Sequence, residues 1–398
     1  MKQKFVVLHR IETEPTSDQI SGSPEIRFRG APKRKNEKMK MDMEILEPAQ
    51  VKKISQMKGV VSVAPAIPMK LIKPLKSSTS SRALNAWGIS AVKADQSPFS
   101  GKGVKVAVLD TGIDVNHPAF KGVKVVQKDF TSEGNGDPNG HGTHCAGTIF
   151  GRNVNGKRIG VATGVKDVLV GKVLGKKGGG SSEMIIEAMQ WSISKGANII
   201  SMSLGIDYPG YVKELIEFDG LPPELAASKA LQDYRANIML FDNFMAFIKS
   251  QSDLQFSQPV IVVAAAGNES QLDINPDFEI AVSPPAIAQG ILSVAALGQN
   301  GENFSIAPFS NSGAILSGPG VNILSAKSGG GLKTLSGTSM ATPHVAGVSA
   351  LWMEKLTQAG NNVPQRLAVM LQSSCDFTTL ANQKEHQCGW GMVQAPLN

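Results

Sequence analysis

Four short segments carry residue types that could do chemistry together: VLDTGID (108–114), NGHGTHCAG (139–147), AAAGNES (264–270) and SGTSMATPHVAG (336–347). Taken singly they are modest. An Asp ending an apolar run is often a turn residue, and a Ser before a run of small residues is often only an N-cap. Together they supply a nucleophile, a base, an orienting carboxylate and an amide donor, each beside glycines. Acyl transfer needs that set. A Ser hydroxyl attacks a carbonyl only when a base takes its proton. His suits the task because its ordinary pKa is about 6.5. A buried Asp fixes the imidazole tautomer and stabilises the imidazolium. The oxyanion that forms needs preorganised donors, here the Asn268 side-chain amide and the backbone N–H of Ser339 at a helix N-terminus.

Such groups work only when rigid elements bring them together. The apolar runs Val104 to Leu109, DVLVGKVL (167–174), ANIISMSLG (197–205), PVIVVAAAGN (259–268) and GILSVAALG (290–298) suit strands buried on both faces of a parallel sheet. A helical segment, Ser182 to Lys195, separates two of them. Strands alternating with helices predict an α/β fold with a doubly wound, mostly parallel sheet, whose site lies beyond the carboxyl ends of its strands. Asp110, Ser203 and Asn268 fall at such ends. Residues 206–258 read as an insertion. Within it Leu231, Tyr234, Ile238, Phe241, Met245 and Ile248 alternate at spacings of three and four, which predicts an amphipathic helix over 225–249. Packing on the domain surface is its plainest role, and a lid or partner-docking element the other.

The first 76 residues read as a separate small α/β unit. KFVVLH (4–9) and GVVSVA (59–64) predict strands, Met69 to Ile72 a short last one, and Pro48 to Lys58 a helix. The charged run over 31–44 reads as a solvated loop or helix face. Residues 77–82 have linker composition. Before residue 83 there are 17 Lys+Arg against 8 Asp+Glu, and after it 23 against 25. The net charge of +7 therefore belongs to the N-terminal unit, and nucleic-acid binding is not expected. No apolar run approaches the roughly 20 residues of a membrane span, and the opening run is too short for a signal peptide. A cytoplasmic location is thus expected over a secreted one. The three cysteines, Cys145, Cys375 and Cys388, do not make a disulfide scaffold.

The order Asp110, His141, Ser339, with HGTHCAG and GTSMATPHVAG around the last two, resembles the subtilisin-like serine proteases, the S8 peptidase family or subtilases, over about residues 83–398. The resemblance implies a serine endopeptidase in which Asp110 orients, His141 is general base and then acid, Ser339 is the nucleophile, and Asn268 with Ser339 forms the oxyanion hole. It makes Gly178, Gly179 and Gly180 the segment that pairs with substrate backbone. Ser203, Leu204 and Gly205 then form one wall of the pocket for the side chain before the scissile bond, and Ala265, Ala266 and Gly267 the other. Neither wall shows a carboxylate, so an apolar or broad preference is expected. Residues 1–76 resemble, more weakly, an I9-type inhibitory propeptide, which implies a zymogen cut within residues 76–83 and partners that are protein or peptide substrates plus the chain's own N-terminal unit. No cofactor is required. Calcium is possible, but the family's usual site would need side-chain oxygens near Ala83 or Leu84 and at Ala119, and none is available there. Asp129, Glu133 and Asp137 read as a polar loop before they read as a cation site. His117, His144 and His344 read as structural.

Two other readings compete. An α/β-hydrolase esterase would take Ser339 with Asp376 and His386, in Ser–Asp–His order. Most predicted strands precede Ser339, however, whereas that fold places several after its Ser. A non-catalytic peptide-binding module would keep the cleft and lack the chemistry, and the complete four-part set opposes it.

Overall fold

The computed structural model of the chain describes residues 3–13, 36–76, 86–253, 260–301, 303–360, 364–381 and 384–398. The linker at 77–82, Ala83 and Leu84, and the last residues of the insertion lie outside them. The central sheet has the order Asn303–Ile306, Ile291–Asn300, Ile261–Ala265, Ile199–Met202, Lys105–Asp110, Asp167–Lys172 and Lys124–Asp129, with Leu316–Pro319 also pairing with Ile291–Asn300. All its pairings are parallel except that of Asn303–Ile306. The doubly wound α/β expectation therefore holds. The continuous apolar runs form this sheet because both its faces are covered: Val106, Val108 and Val263 face one core, Ala107, Leu109 and Val262 the other. Among the described residues, no strand of the sheet follows Ser339.

The helix Thr338–Gln358 runs through the first core, lined by Ala341, Val345, Ala346 and Ala350. Its small residues let sheet and helix approach closely. Among the described residues no helix is long and apolar enough to cross a membrane.

The N-terminal unit is a three-stranded antiparallel sheet with Gln3–Thr13 at its centre, flanked by Asn36–Leu46 and Val60–Pro65, plus the helix Pro48–Ser55. Asn36–Leu46 corrects the loop or helix reading of the charged run. Its alternation of Met39, Met41 and Met43 with Lys38, Lys40, Asp42 and Glu44 is the period-2 pattern of a strand with one covered face, and Met39 and Met41 pack on the core. The insertion forms two helices, Tyr208–Glu217 and Pro223–Asp253. Phe241, Met245 and Ile248 are buried as the spacing predicts, but Leu231 is 60% exposed. The longer helix carries the N-terminal sheet. Ala226, Ala230, Leu240 and Phe244 share one apolar cluster with Val6, Leu8 and Ala64. Asn237 Nδ2 donates to the Pro65 carbonyl at 2.9 Å, and Lys229 Nζ to Gln3 Oε1 at 3.0 Å.

Candidate active site

Asp110 ends its central strand, and His141 opens the helix His141–Phe150. The two side chains are buried, and His141 Nδ1 lies 2.7 Å from Asp110 Oδ1. A carboxylate oxygen can only accept there, so Nδ1 carries a proton, and in the neutral ring Nε2 keeps its lone pair. Burial opposes charging the ring, but the Asp110 carboxylate overrides it, and the His141 pKa stands well above the ordinary 6.5. Among the described residues, nothing hydrogen-bonds His141 Nε2.

Ser339 is the second residue of its helix, the position at which backbone N–H groups remain unpaired. Asn268 follows the strand Ile261–Ala265 by three residues. Its side-chain oxygen accepts from Thr338 N and Thr338 Oγ1, both at 2.9 Å. That fixes the amide plane and turns Nδ2 toward the cleft. Gly337 leaves room for it, since a Cβ there would stand 2.9 Å from Asn268 Nδ2.

The cleft is filled by the chain's own residues 68–76. Pro68–Leu71 lies between Gly179–Ser181 and Leu204–Ile206, antiparallel to both. Lys70 sits opposite Gly179 and Gly205, Met69 opposite Gly180, and Leu71 N donates to the Gly178 carbonyl at 2.8 Å. A Cβ on Gly178 would come within 2.9 Å of Leu71 Cβ, so glycine is what lets the strand seat. Ile72 is buried, and its Cγ1 lies against the space a Gly205 side chain would take. Ser339 Oγ donates to the Ile72 carbonyl at 3.0 Å, and Asn268 Nδ2 to the Lys73 carbonyl at 3.1 Å. Beyond Ser339, Leu75–Lys76 pairs with Leu332–Ser336.

The subtilase family model of peptidase S8 matches residues 101–391. The chain belongs to the subtilase family. It is a subtilisin-like serine protease, a class of peptide-bond hydrolases. It is 38% identical over 261 residues to the intracellular serine protease of Paenibacillus polymyxa, an alignment spanning 63% of this chain and 67% of that one. It is 34% identical over 288 residues to the thermostable alkaline protease of Halalkalibacterium halodurans (71% and 66%). It is 32% identical over 306 residues to the subtilisin-like serine protease Pen c 1 of Penicillium citrinum (73% and 64%). The alignments thus span about two thirds of these relatives' lengths. The crystal structure of a cold-adapted subtilisin-like serine proteinase superposes with a TM-score of 0.53 at 28% identity, covering 79% of this chain and 97% of that one.

In this subtilase, Asp110 meets His141 directly, Ser339 and Asn268 hold one bound segment, Gly178–Gly180, Leu204 and Gly205 line that segment, and Ser203 Oγ donates to the Ser339 carbonyl at 3.3 Å. Ala265 and Ala266 are fully buried, and Gly267, with positive φ, turns the chain into Asn268. The esterase alternative fails. Asp376 Oδ1 accepts from Thr378 N and Oγ1, and His386 pairs with Glu279 at 3.0 Å, so neither is turned to Ser339. His117, His144 and His344 make structural contacts. His117 Nδ1 accepts from Ala119 N, and His344 Nδ1 bonds the Met340 carbonyl. His144 Nε2 bonds the Ile323 and Lys333 carbonyls. Burial pushes the His144 pKa down to about 3 and that of His344 to about 4. Asp129, Glu133 and Asp137 are each engaged by protein donors. Asp129 closes its own loop through Thr131 and Gly134, while Glu133 meets Lys172 Nζ at 3.2 Å. Asp137 accepts from Thr111 Oγ1, Gly140 N and Thr143 N, and so braces the turn that presents His141.

Sequence reasoning passed over Cys145 and Thr338. Cys145 lies one helical turn after His141, its Sγ 3.8 Å from Nδ1 and 3.4 Å from the Ser339 carbonyl. Burial raises its pKa, so the thiol stays neutral beneath the ring. The i, i+4 spacing in HGTHC was the available signal. Asp110, His141 and Cys145 also form the only metal-ligand-like grouping among the described residues, but Nδ1 is committed to Asp110.

Proposed function

We propose that the full chain is a serine endopeptidase held in a self-blocked form. Ser339 is the nucleophile, His141 the general base and then acid, Asp110 its orienting group. Asn268 Nδ2 and the Ser339 backbone N–H receive the oxyanion. The observation that carries this reading is the seating of residues 68–76. They cross the cleft as a substrate would, yet the reacting groups are set apart. In a productive complex one carbonyl is both attacked by Ser339 Oγ and held by Asn268. Here Oγ addresses Ile72 while Asn268 addresses Lys73. Moreover, Ser339 gives its hydrogen bond to a peptide carbonyl, and among the described residues His141 Nε2 has none. The N-terminal unit therefore acts as an intramolecular inhibitor, docked on the insertion helix. Ile72 in the pocket supports cleavage after apolar side chains. The chemistry draws on side chains and needs no cofactor. A relative named as an intracellular protease supports work inside the cell.

With Ile72 and Lys73 held at Ser339 and Asn268, a bond within residues 76–83 is not the one presented to the chain's own nucleophile, so processing there falls to a second molecule. Intact-mass measurements over time test this. Wild type should gain peptidase activity as it loses its N-terminal segment, faster at higher concentration. Ser339→Ala should stay whole alone and be cut when a trace of processed wild type is added. Full activity with no loss of the segment would contradict the reading.

Asn268→Ala should lower kcat by about 10²–10³-fold with little change in KM, a magnitude taken over from the equivalent amide of subtilisin. Steady-state hydrolysis of an apolar peptide by the processed enzyme measures it.

A further inference from the structure

The seated segment reveals more than blockage, because one of its side chains is gripped by the enzyme. Lys70 lies two residues before Ile72, the residue in the pocket. Its Nζ is 3.1 Å from Asp207 Oδ1 and 3.9 Å from Glu269 Oε1. These carboxylates come from two separate segments. Asp207 directly follows the strand Leu204–Ile206, and Glu269 directly follows Asn268. Neither depends on Lys70 for its position. Asp207 Oδ1 accepts from Gly210 N at 3.2 Å and caps the helix Tyr208–Glu217. Glu269 Oε2 accepts from Asn311 Nδ2 at 2.9 Å, and Glu269 N donates to Asn311 Oδ1 at the same distance. Two preset anions thus face one backbone position of whatever peptide lies in the cleft. That position is fixed by register, since Lys70 pairs with Gly205 and Gly179 through the backbone.

We propose that Asp207 and Glu269 form a subsite for a basic side chain at the third position before the scissile bond, so that preferred substrates read Lys/Arg–X–apolar, as Lys70–Leu71–Ile72 does. The proposal rests on reading residues 68–76 as substrate-like. A Lys or Arg there meets two carboxylates, a Gln loses both attractions, and a Glu meets like charge. Each partly exposed pair contributes a factor of about two to five. The preference for Lys over Gln should therefore be about tenfold in kcat/KM, and wider over Glu. Since the pairs are partly exposed, the preference should shrink as salt is raised.

The test uses full-length protein incubated until its activity is constant, with three quenched-fluorescence peptides. They carry Lys, Gln or Glu at the third position, Leu and Ile after it, and no proline beyond. Mass spectrometry confirms the cut after Ile. The ratio of kcat/KM, Lys over Gln, is compared between wild type, Asp207→Asn and Asp207→Asn with Glu269→Gln. Asn keeps the helix cap. The expected ratios fall from about ten in wild type to an intermediate value and then to within about twofold of unity. Equal ratios in wild type and the double variant, or no preference in wild type, would overturn the subsite while leaving the protease reading intact. No cleavage of any peptide, with Ser339 also unreactive to a phosphonate, would overturn the protease reading and the subsite with it.

Discussion

Replacing Ser339 with alanine is expected to lower kcat by about 10⁶-fold, a magnitude carried over from the triad of subtilisin. The fold should survive the change. Ser339 is fully buried at the start of a helix held by its own core, and its hydroxyl makes one hydrogen bond to protein, to the Ile72 carbonyl. Loss of that bond would cost about 1 kcal/mol in the seating of the segment and little in the core. The variant should therefore be soluble, folded and inert, with residual hydrolysis coming from the oxyanion donors and binding. Kinetics on the trace-processed variant, with circular dichroism to verify the fold, measure this. A folded variant that retains even a hundredth of wild-type kcat would move the nucleophile elsewhere.

Asp110→Asn is expected to cost about 10⁴-fold in kcat. Two effects combine. An amide can donate to Nδ1 and hold the ring in the tautomer whose Nε2 carries the proton, the wrong one for a base. Removing the carboxylate also withdraws what keeps the imidazolium favoured. The sign of the second effect can be read from pH. His141 must be neutral to accept a proton, and in the wild type its pKa is raised above 6.5. The kcat/KM of wild type should thus climb with pH through an acid limb above 6.5. In Asp110→Asn, the main influence opposing burial is gone and the limb should move to lower pH. A pH profile of both proteins checks it, and identical limbs would mean that the titrating group is not His141.

Much of the site was legible because its chemistry is local. HGTHCAG and GTSMATPHVAG keep His141 and Ser339 at helix starts, and the run ending at Asp110 puts the carboxylate at a strand end. Asn268 was marked by the glycine before it. What linear order hid were contacts between distant segments. Thr338 fixing the Asn268 amide, Cys145 under the His141 ring and Asp137 bracing the turn each serve a neighbour that motif spacing does not weigh. Asn36–Leu46 was missed because its charges dominate the composition, while the alternation that makes it a strand concerns only one face. The insertion helix was visible from its apolar spacing, though its partner, the chain's own first strands, was not. Leu231 followed the spacing and still faces solvent, while Ala230 beside it is buried. The position of Ile72 at Ser339 could not be read from composition. It depends on the register of Pro68–Leu71 between two strands that follow it by more than a hundred residues.

Ser339 as the nucleophile and residues 68–76 as its mask can be tested together. A biotinylated fluorophosphonate, applied to wild type before and after loss of the N-terminal segment and followed by peptide mapping, tests both halves at once. The expected result is one adduct, on Ser339, scarce in the whole chain and near stoichiometric in the processed form. Equal labelling of both forms would contradict the mask, and an adduct on another residue, or none in the processed form, would contradict the nucleophile.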